Sequence, residues 1–336
     1  MPVHPRPARW ADTVSHIAQR LLAPAGTQPR RVSWIDAGGL AAVHLLALLA
    51  FIPWFFSWTG VVLAVAGLYV FGTLGINLCF HRLLTHRGLI CPKPLEHAFA
   101  VLGICCMQDT PARWVATHRR HHEHADEQPD PHSPLVNFLW AHIGWLIFKN
   151  KDLTRLGLTN RYAKDVLRDR FYVIVERKVP WLSIVAASWL VFFAVGFIAE
   201  LLLGGTLLQA LQFGLSLLVW GVFVRTVLVW HSTWSVNSVT HIWGYRNYDT
   251  DESSRNNAVV GILAAGEGWH NNHHAHPRSA RHGHMWWEID LTWLTIRLLA
   301  ALGLARKVIT PSPEILARMR AGHGAALQPS ASKGGG

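Results

Sequence analysis

Residues 38–58 run for 21 positions with His44 as the only strongly polar side chain, and residues 61–80 run for 20 with Asn77 as the only one. Residues 179–203 and 206–230 form a second such pair, interrupted by Glu200 near one end and Arg225 near the other. A helix needs about 20 apolar residues to cross roughly 30 Å of hydrocarbon, and each run is long enough. One run of a dozen residues would suit a buried core helix equally well. Four of this length do not, even in a chain that is 51% apolar. The expected fold is an all-α integral membrane protein, with four transmembrane helices in two hairpins and a helical cap built from the polar segments.

Lys and Arg total 31. The hairpin turns at 57–60 and 203–205 contain none, and apart from Arg225 every basic residue lies before residue 34, within 81–178 or after 230. Basic loops resist translocation, so these three stretches are expected on the cytoplasmic side. The organisation that follows is a cytosolic leader (1–33), a first hairpin (34–80), a cap segment (81–178), a second hairpin (179–230), a second cap segment (231–321) and a disordered tail (322–336). Both termini and the cap then face the cytoplasm, with a bacterial inner membrane as the expected location. The net charge of +11 describes a basic surface apposed to the bilayer, suited to membrane lipids or an acidic protein partner. No basic helix with interleaved aromatics accompanies it, so nucleic acid is not an expected partner. Arg225 falls roughly 29 Å along its helix from Thr206, which predicts a side chain reaching out to the cytoplasmic interface.

The opening 30 residues hold five prolines and four arginines instead of an apolar core with a cleavage site, which reads against a secretory signal. The four cysteines, Cys79, Cys91, Cys105 and Cys106, form no CxxC pair. Neither a zinc ribbon nor a fused rubredoxin-like carrier is therefore expected, and these thiols read as small apolar residues at the membrane boundary.

The chain has 21 histidines, and the informative ones follow the ends of the apolar runs. "HRLLTH" supplies His81 and His86, "HRRHH" supplies His118, His121 and His122, "NSVTH" supplies Asn237 and His241, and "HNNHH" supplies His270, His273 and His274. On a helix, positions i, i+3 and i+4 share about a third of the circumference, so each HxxHH can aim three imidazoles at one place. His81 and His86, five apart, sit roughly 140° around an α-helix and are expected to flank an object between them. Nine clustered imidazoles exceed what one ion takes, since a structural zinc uses four ligands and a catalytic zinc three plus water. Two metals with four or five ligands each use the whole set. Imidazole suits several transition metals, so spacing leaves the metal open. His44, His97, His142 and His231 read as ordinary hydrogen-bonded or solvated side chains.

In this order and after paired apolar runs, "HRLLTH", "HRRHH" and "HNNHH" resemble the three histidine boxes of the integral-membrane fatty acid desaturases, in particular the acyl-CoA Δ9 (stearoyl-CoA) group. "DPHSPLVNFLWAHIGWL", "TWSVNSVTHIWGYRNYDT" and "GEGWHNNHH" are similar to that group's pattern, and the resemblance covers roughly 34–295. It implies that His81, His86, His118, His121, His122, His241, His270, His273 and His274 hold two iron ions, with Asn237 holding a water on one of them. It also implies O2-dependent insertion of a cis double bond into a saturated acyl chain. Asp126, Glu127, Asp130 and Glu267 lie next to the boxes, where they are expected to accept hydrogen bonds from the distal ring nitrogens.

The acyl chain requires a narrow apolar tunnel. Trp114, Trp140, Trp145, Thr233 and Trp234 resemble the family's tunnel residues, in competition with an aromatic belt at the membrane interface. Tyr69 precedes His81 by about 18 Å of helix, and if it faces the tunnel it closes the far end. The animal acyl-CoA enzymes carry an arginine where this chain has Ala116, which leaves Arg113 and Lys149 as the cationic candidates for a CoA phosphate. An acyl-lipid or carrier-protein substrate therefore stays open beside acyl-CoA. No electron-carrier module is recognisable in the sequence, so a separate donor, a ferredoxin or a cytochrome b5-like protein, is expected to dock on the basic face. The rival readings are a di-iron membrane fatty acid hydroxylase or alkane monooxygenase, and a metal transporter. The transporter would need ligands along an intramembrane path, and only His44 lies well inside an apolar run.

Overall fold

The computed structural model describes residues 23–317 apart from 25 and 154. The leader before residue 23 and the tail at 322–336 lie outside the described residues. Among the described residues, four helices are long and apolar enough to cross a membrane: α1 (Trp34–Phe51), α2 (Trp58–Thr85), α8 (Lys178–Leu202) and α9 (Leu207–Ser238). The chain is a membrane protein. Their outer faces carry exposed apolar side chains such as Leu190, Val195 and Leu208, as contact with lipid requires.

Two of these helices outrun the bilayer. Counted at the α-helical rise of about 1.5 Å per residue, the 28 residues of α2 and the 32 of α9 have upper limits of roughly 42 and 48 Å, against a hydrocarbon core of about 30 Å. The surplus carries the ends at Thr85 and Ser238 beyond the apolar layer. Both helices start from defined caps. Ser57 Oγ accepts from Gly60 N at 3.0 Å, and Thr206 and Gln209 cap each other reciprocally at the start of α9.

Glycines set how the helices pack. A Cβ on Gly60, Gly67 or Gly72 of α2 would meet Trp220, Arg225 or Val229 of α9, so the missing side chains make room for those three. Further along, Gly75 faces Gly103 of α3 (Lys93–Ile104) so closely that a Cβ would stand 2.4 Å from the Gly103 nitrogen. α8 and α9 pack side by side. α1 packs chiefly on α9, with Val43 in one apolar cluster with Val222, Phe223 and Trp230.

Arg225 departs from expectation. Its side chain does not reach the interface but is fully buried. The stem fills the space left by Gly67, Nη1 donates to the Cys105 carbonyl at 3.0 Å, and the guanidinium lies 4.1 Å from the centre of the Phe71 ring. Carbonyls and a ring face supply inside the protein what water would supply outside. All four cysteines are free and buried.

The cap contains α4 (Pro111–Glu123), α5 (Trp140–Gly144), α6 (Arg155–Tyr162), α7 (Arg170–Val175), α10 (Ala258–Leu263), α11 (His270–Ala275) and α12 (Leu291–Ala301). The fold is not purely helical. β1 (Thr27–Val32) pairs antiparallel with β2 (Phe148–Asn150), Thr27 opposite Asn150 and Val32 opposite Phe148. This ribbon ties the approach to α1 to the cap, and six residues against three gave the sequence too little alternation to reveal it.

Candidate metal centre

From Leu68 to Thr85, α2 is wound as a π-helix, with the His86 amide closing on the His81 carbonyl five residues back at 3.1 Å. In i→i+5 winding, residues five apart stack nearly above one another. His81 and His86 therefore share one face, ring centroids 4.8 Å apart, instead of flanking an object as α-helical spacing predicted.

The two HxxHH motifs divide their ligands. His118 and His122, one α-helical turn apart on α4, point the same way, while His121, about 100° from His122, points elsewhere. On α11 His270 and His274 pair, and His273 turns away. Two sets result: His81, His86, His118, His122 and His273 in one, His121, His241, His270 and His274 in the other, with the candidate ligand atoms of each set within 4.8 Å of one another. The expectation that each motif aims three imidazoles at one point is thus corrected to two plus one.

Within the sets the Nε2 atoms converge. His273 Nε2 lies 3.1 Å from His81 Nε2 and 2.9 Å from His122 Nε2, and His122 Nε2 lies 3.1 Å from His118 Nε2. His270 Nε2 lies 3.1 Å from both His241 Nε2 and His274 Nε2. An imidazole nitrogen has one in-plane lone pair or one N–H, so it cannot form linear hydrogen bonds with two nitrogens at once. Ligands bound at right angles to one ion at about 2.1 Å stand about 3 Å apart, which is the spacing seen. The Nε2 atoms of His86 and His121 are buried without a hydrogen-bond partner, as ligand nitrogens would be. The donor set fits two transition-metal ions.

Carboxylates fix the distal nitrogens. His81 Nδ1–H donates to Glu267 at 2.6 Å, His121 Nδ1–H to both oxygens of Asp130 at 3.0 Å and His241 Nδ1–H to Asp126 at 3.1 Å. These contacts set the tautomer that leaves Nε2 free and raise its donor strength. Glu127 does not join them; it is exposed and meets His124. Burial, reinforced by neighbouring imidazoles, holds His86, His118, His122, His270, His273 and His274 well below the usual histidine range and so in the neutral form that ligates. Burial also opposes charge on His241, but Asp126 outweighs it and lifts the group to about 9.

An apolar cavity of about 110 Å³ reaches His81 and His118 and is lined by Trp114, Thr233, Trp234 and Asn237. Gln108, unremarked in the sequence, fixes two of these, donating to Thr233 Oγ1 at 3.0 Å and accepting from Trp114 Nε1 at 3.3 Å. Thr117, Trp145 and Leu146 also line a polar cleft of about 310 Å³ that holds Arg113 and Lys149. Asp36 and Asp109 line the same cleft, with Arg113 Nε 3.1 Å from Asp109, so its four formal charges balance. Tyr69 is not among the residues lining the cavity; its hydroxyl meets Thr295 of α12 at 2.8 Å. Trp140 is likewise not among them, donating to the Pro131 carbonyl at 3.2 Å.

Sequence reasoning missed Glu252, 3.6 Å from His274 Nδ1, and the buried rings of His132 and His282, 4.4 Å from His121 and 4.5 Å from His273. Both histidines follow short turn sequences outside the HxxHH pattern, although His132 stands two residues from Asp130. It missed Arg82 as the partner of Glu267 at 2.9 Å. Three histidines read as ordinary meet in space: His231 bridges His44 at 3.2 Å and His142 at 3.0 Å, tying α1 to α9 and the cap.

Spanning helices topped by two imidazole sets, one of them touched by an apolar cavity, fit a membrane protein able to hold two metal ions beside an apolar substrate. The fatty acid desaturase pattern matches residues 53–305. The chain is 40% identical over 294 residues to the sn-2 palmitoyl-lipid 9-desaturase of Nostoc sp. (strain 36), covering 87% of this chain and 96% of that one. It is 44% identical over 282 residues to the sn-1 stearoyl-lipid 9-desaturase of Anabaena variabilis, covering 84% and 95%. With the icosanoyl-CoA 5-desaturase of Limnanthes douglasii it shares 39% over 278 residues, covering 82% and 72%. This chain belongs to the fatty acid desaturase family, whose members generally use two irons and O2.

Proposed function

We propose that this chain is an acyl-lipid 9-desaturase, placing a cis double bond at the ninth carbon of a saturated chain carried on a glycerolipid. The observation that carries the reading is the convergence of nine Nε2-type donors in sets of five and four beside an apolar cavity. In the proposed assignment His81, His86, His118, His122 and His273 hold one iron, and His121, His241, His270 and His274 hold the other, with Asn237 on a bound water. When bound, the two ions supply the oxidising chemistry: O2, two electrons and two protons take two hydrogens from the chain and leave as two waters.

The protein's own part is positioning. Trp114, Thr233 and Trp234 enclose the chain and exclude water beside His81 and His118. Arg113 and Lys149 face the carrier in the adjoining cleft. The charge balance there with Asp36 and Asp109 suits a glycerolipid better than the several phosphates of CoA, in keeping with the names of the two cyanobacterial relatives. We place the cap and both termini on the cytoplasmic side, with the first and second spans, and the third and fourth, connected as two hairpins; a ferredoxin or cytochrome b5-like protein supplies the electrons at the basic face.

The test is expression in cells, extraction of each lipid class and location of the new double bond by mass spectrometry, beside a His273→Ala control. A Δ9 product appearing first on intact glycerolipid supports the reading. A product appearing first on acyl-CoA moves the carrier, and a hydroxylated chain moves the reaction class.

A further inference from the structure

The two imidazole sets stand in unlike electrostatic surroundings. Around the set of four, Asp130 and Asp126 hold His121 and His241, and Glu252 lies 3.6 Å from His274 Nδ1 and 3.9 Å from His241 Nδ1. The other contacts of these carboxylates are uncharged or with histidine. Asp126 accepts from Ser133 and Ser253, and Glu252 accepts from Ser254. Asp130 accepts from the backbone of Asp126 and His132, with the His132 ring 3.9 Å away. Among the described residues, no Lys or Arg forms an ion pair with any of the three.

Around the set of five, among the described residues, the single carboxylate that meets a ring nitrogen of the set is Glu267 on His81. Its other oxygen is forked by Arg82 Nε and Nη2 at 3.0 and 2.9 Å, and Arg82 also meets Asp290 at 2.9 Å. The formal charge is thus three negative beside the set of four, and one negative beside the set of five once Arg82 is set against Glu267 and Asp290. The fifth imidazole adds a donor but no charge. The cavity touches the set of five directly, through His81 and His118, while no histidine of the set of four lines it and that set reaches it only through Asn237.

We propose that Asp126, Asp130 and Glu252 make the four-histidine position the one that stabilises the more oxidised iron, while the Glu267–Arg82 pair keeps the five-histidine position, which faces the substrate, in favour of the ferrous ion. This rests on the two-iron reading. Uncompensated carboxylates in a buried site favour the higher ionic charge, and a carboxylate on Nδ1–H strengthens the imidazole as a donor. All three act in the same sense on one side, and Arg82 offsets the single one on the other.

The test is a redox titration of the purified iron-57-loaded protein, read by Mössbauer spectroscopy beside a metal count. The wild type is expected to show two resolved one-electron steps. Glu252→Gln should raise the lower step by a tenfold change in the ferric-to-ferrous ratio, 59 mV for a one-electron couple, and leave the upper step in place. Glu267→Gln should move the upper step. Two irons per chain oxidised in one unresolved step, or a Glu252→Gln shift confined to the upper step, overturns the asymmetry; the wild-type titration decides this even if a variant folds poorly. One iron per chain overturns the two-iron reading itself.

Discussion

His273 and His274 are joined by one peptide bond and serve different sets: His273 Nε2 lies 2.9 Å from His122 Nε2, and His274 Nε2 lies 3.1 Å from His270 Nε2. Successive residues of a helix point about 100° apart, so one short turn can hand a nitrogen to each side. α4 does the same with His121 and His122.

Because the sets are separate, each should lose its ion separately. His86→Ala and His121→Ala are each expected to lower iron from about two to about one per chain, with desaturation lost in both. Metal analysis of purified protein checks this, and loss of both ions in either variant would argue for one shared site.

Glu267→Gln should do more than weaken a ligand. It leaves the buried Arg82 guanidinium without the carboxylate that forks it, and breaking one side of a buried ion pair costs about 3–5 kcal/mol. A clear fall in melting temperature in detergent is expected. An unchanged melting temperature would show that Asp290 alone satisfies Arg82.

Acid should act through Asp169, which joins His97 at 2.9 Å and Lys93 at 3.1 Å. Burial is the largest single effect and raises its pKa, but the His97 and Phe171 N–H groups and Lys93 together outweigh it and hold the group down to about 2. A carboxylate depressed on folding contributes stability above its unfolded value, and that contribution is lost as pH falls from about 4 to about 2. Asp169→Asn should therefore be less stable than the wild type at neutral pH, with the gap closing across that window. Melting curves against pH read it directly, and a constant gap would exclude this cause.

Gly75→Leu should separate α2 from α3, since even a Cβ meets the Gly103 backbone at 2.4 Å. Overpacking of this kind costs about 1–3 kcal/mol, and it displaces the helix that carries His81. Reduced iron retention and activity are expected, while Gly38→Leu on the open face of α1 should change neither.

Chain-length preference should follow the residues that line the cavity. Trp234→Ala is expected to broaden the range of acyl chains accepted, whereas Tyr69→Phe, which removes only the bond to Thr295, should leave it unchanged. Product profiles from mixed saturated lipids measure both.

The spans were legible because about twenty apolar residues in a row have few alternatives in water, and the metal ligands because HxxHH is rare and repeats. What the letters concealed was geometric. The π winding of α2, which brings His81 over His86, leaves no mark in a pattern read at 3.6 residues per turn. Arg225 was misplaced because distance along a helix says nothing of the pocket that Gly67 opens beside it. Glu252 and Arg82 stayed hidden because charge partners distant in sequence become visible only once the chain has folded.

The overshoot of α2 and α9 has a consequence for where along a fatty chain the enzyme can act. By length both helices exceed an apolar layer of about 30 Å, and both carry members of the candidate centre toward their C-terminal ends, His81 on α2 and Asn237 on α9. A substrate whose ester is itself anchored at the edge of that layer is then measured against that edge. In the proposed function the membrane surface then becomes one end of the ruler that sets the position of the double bond.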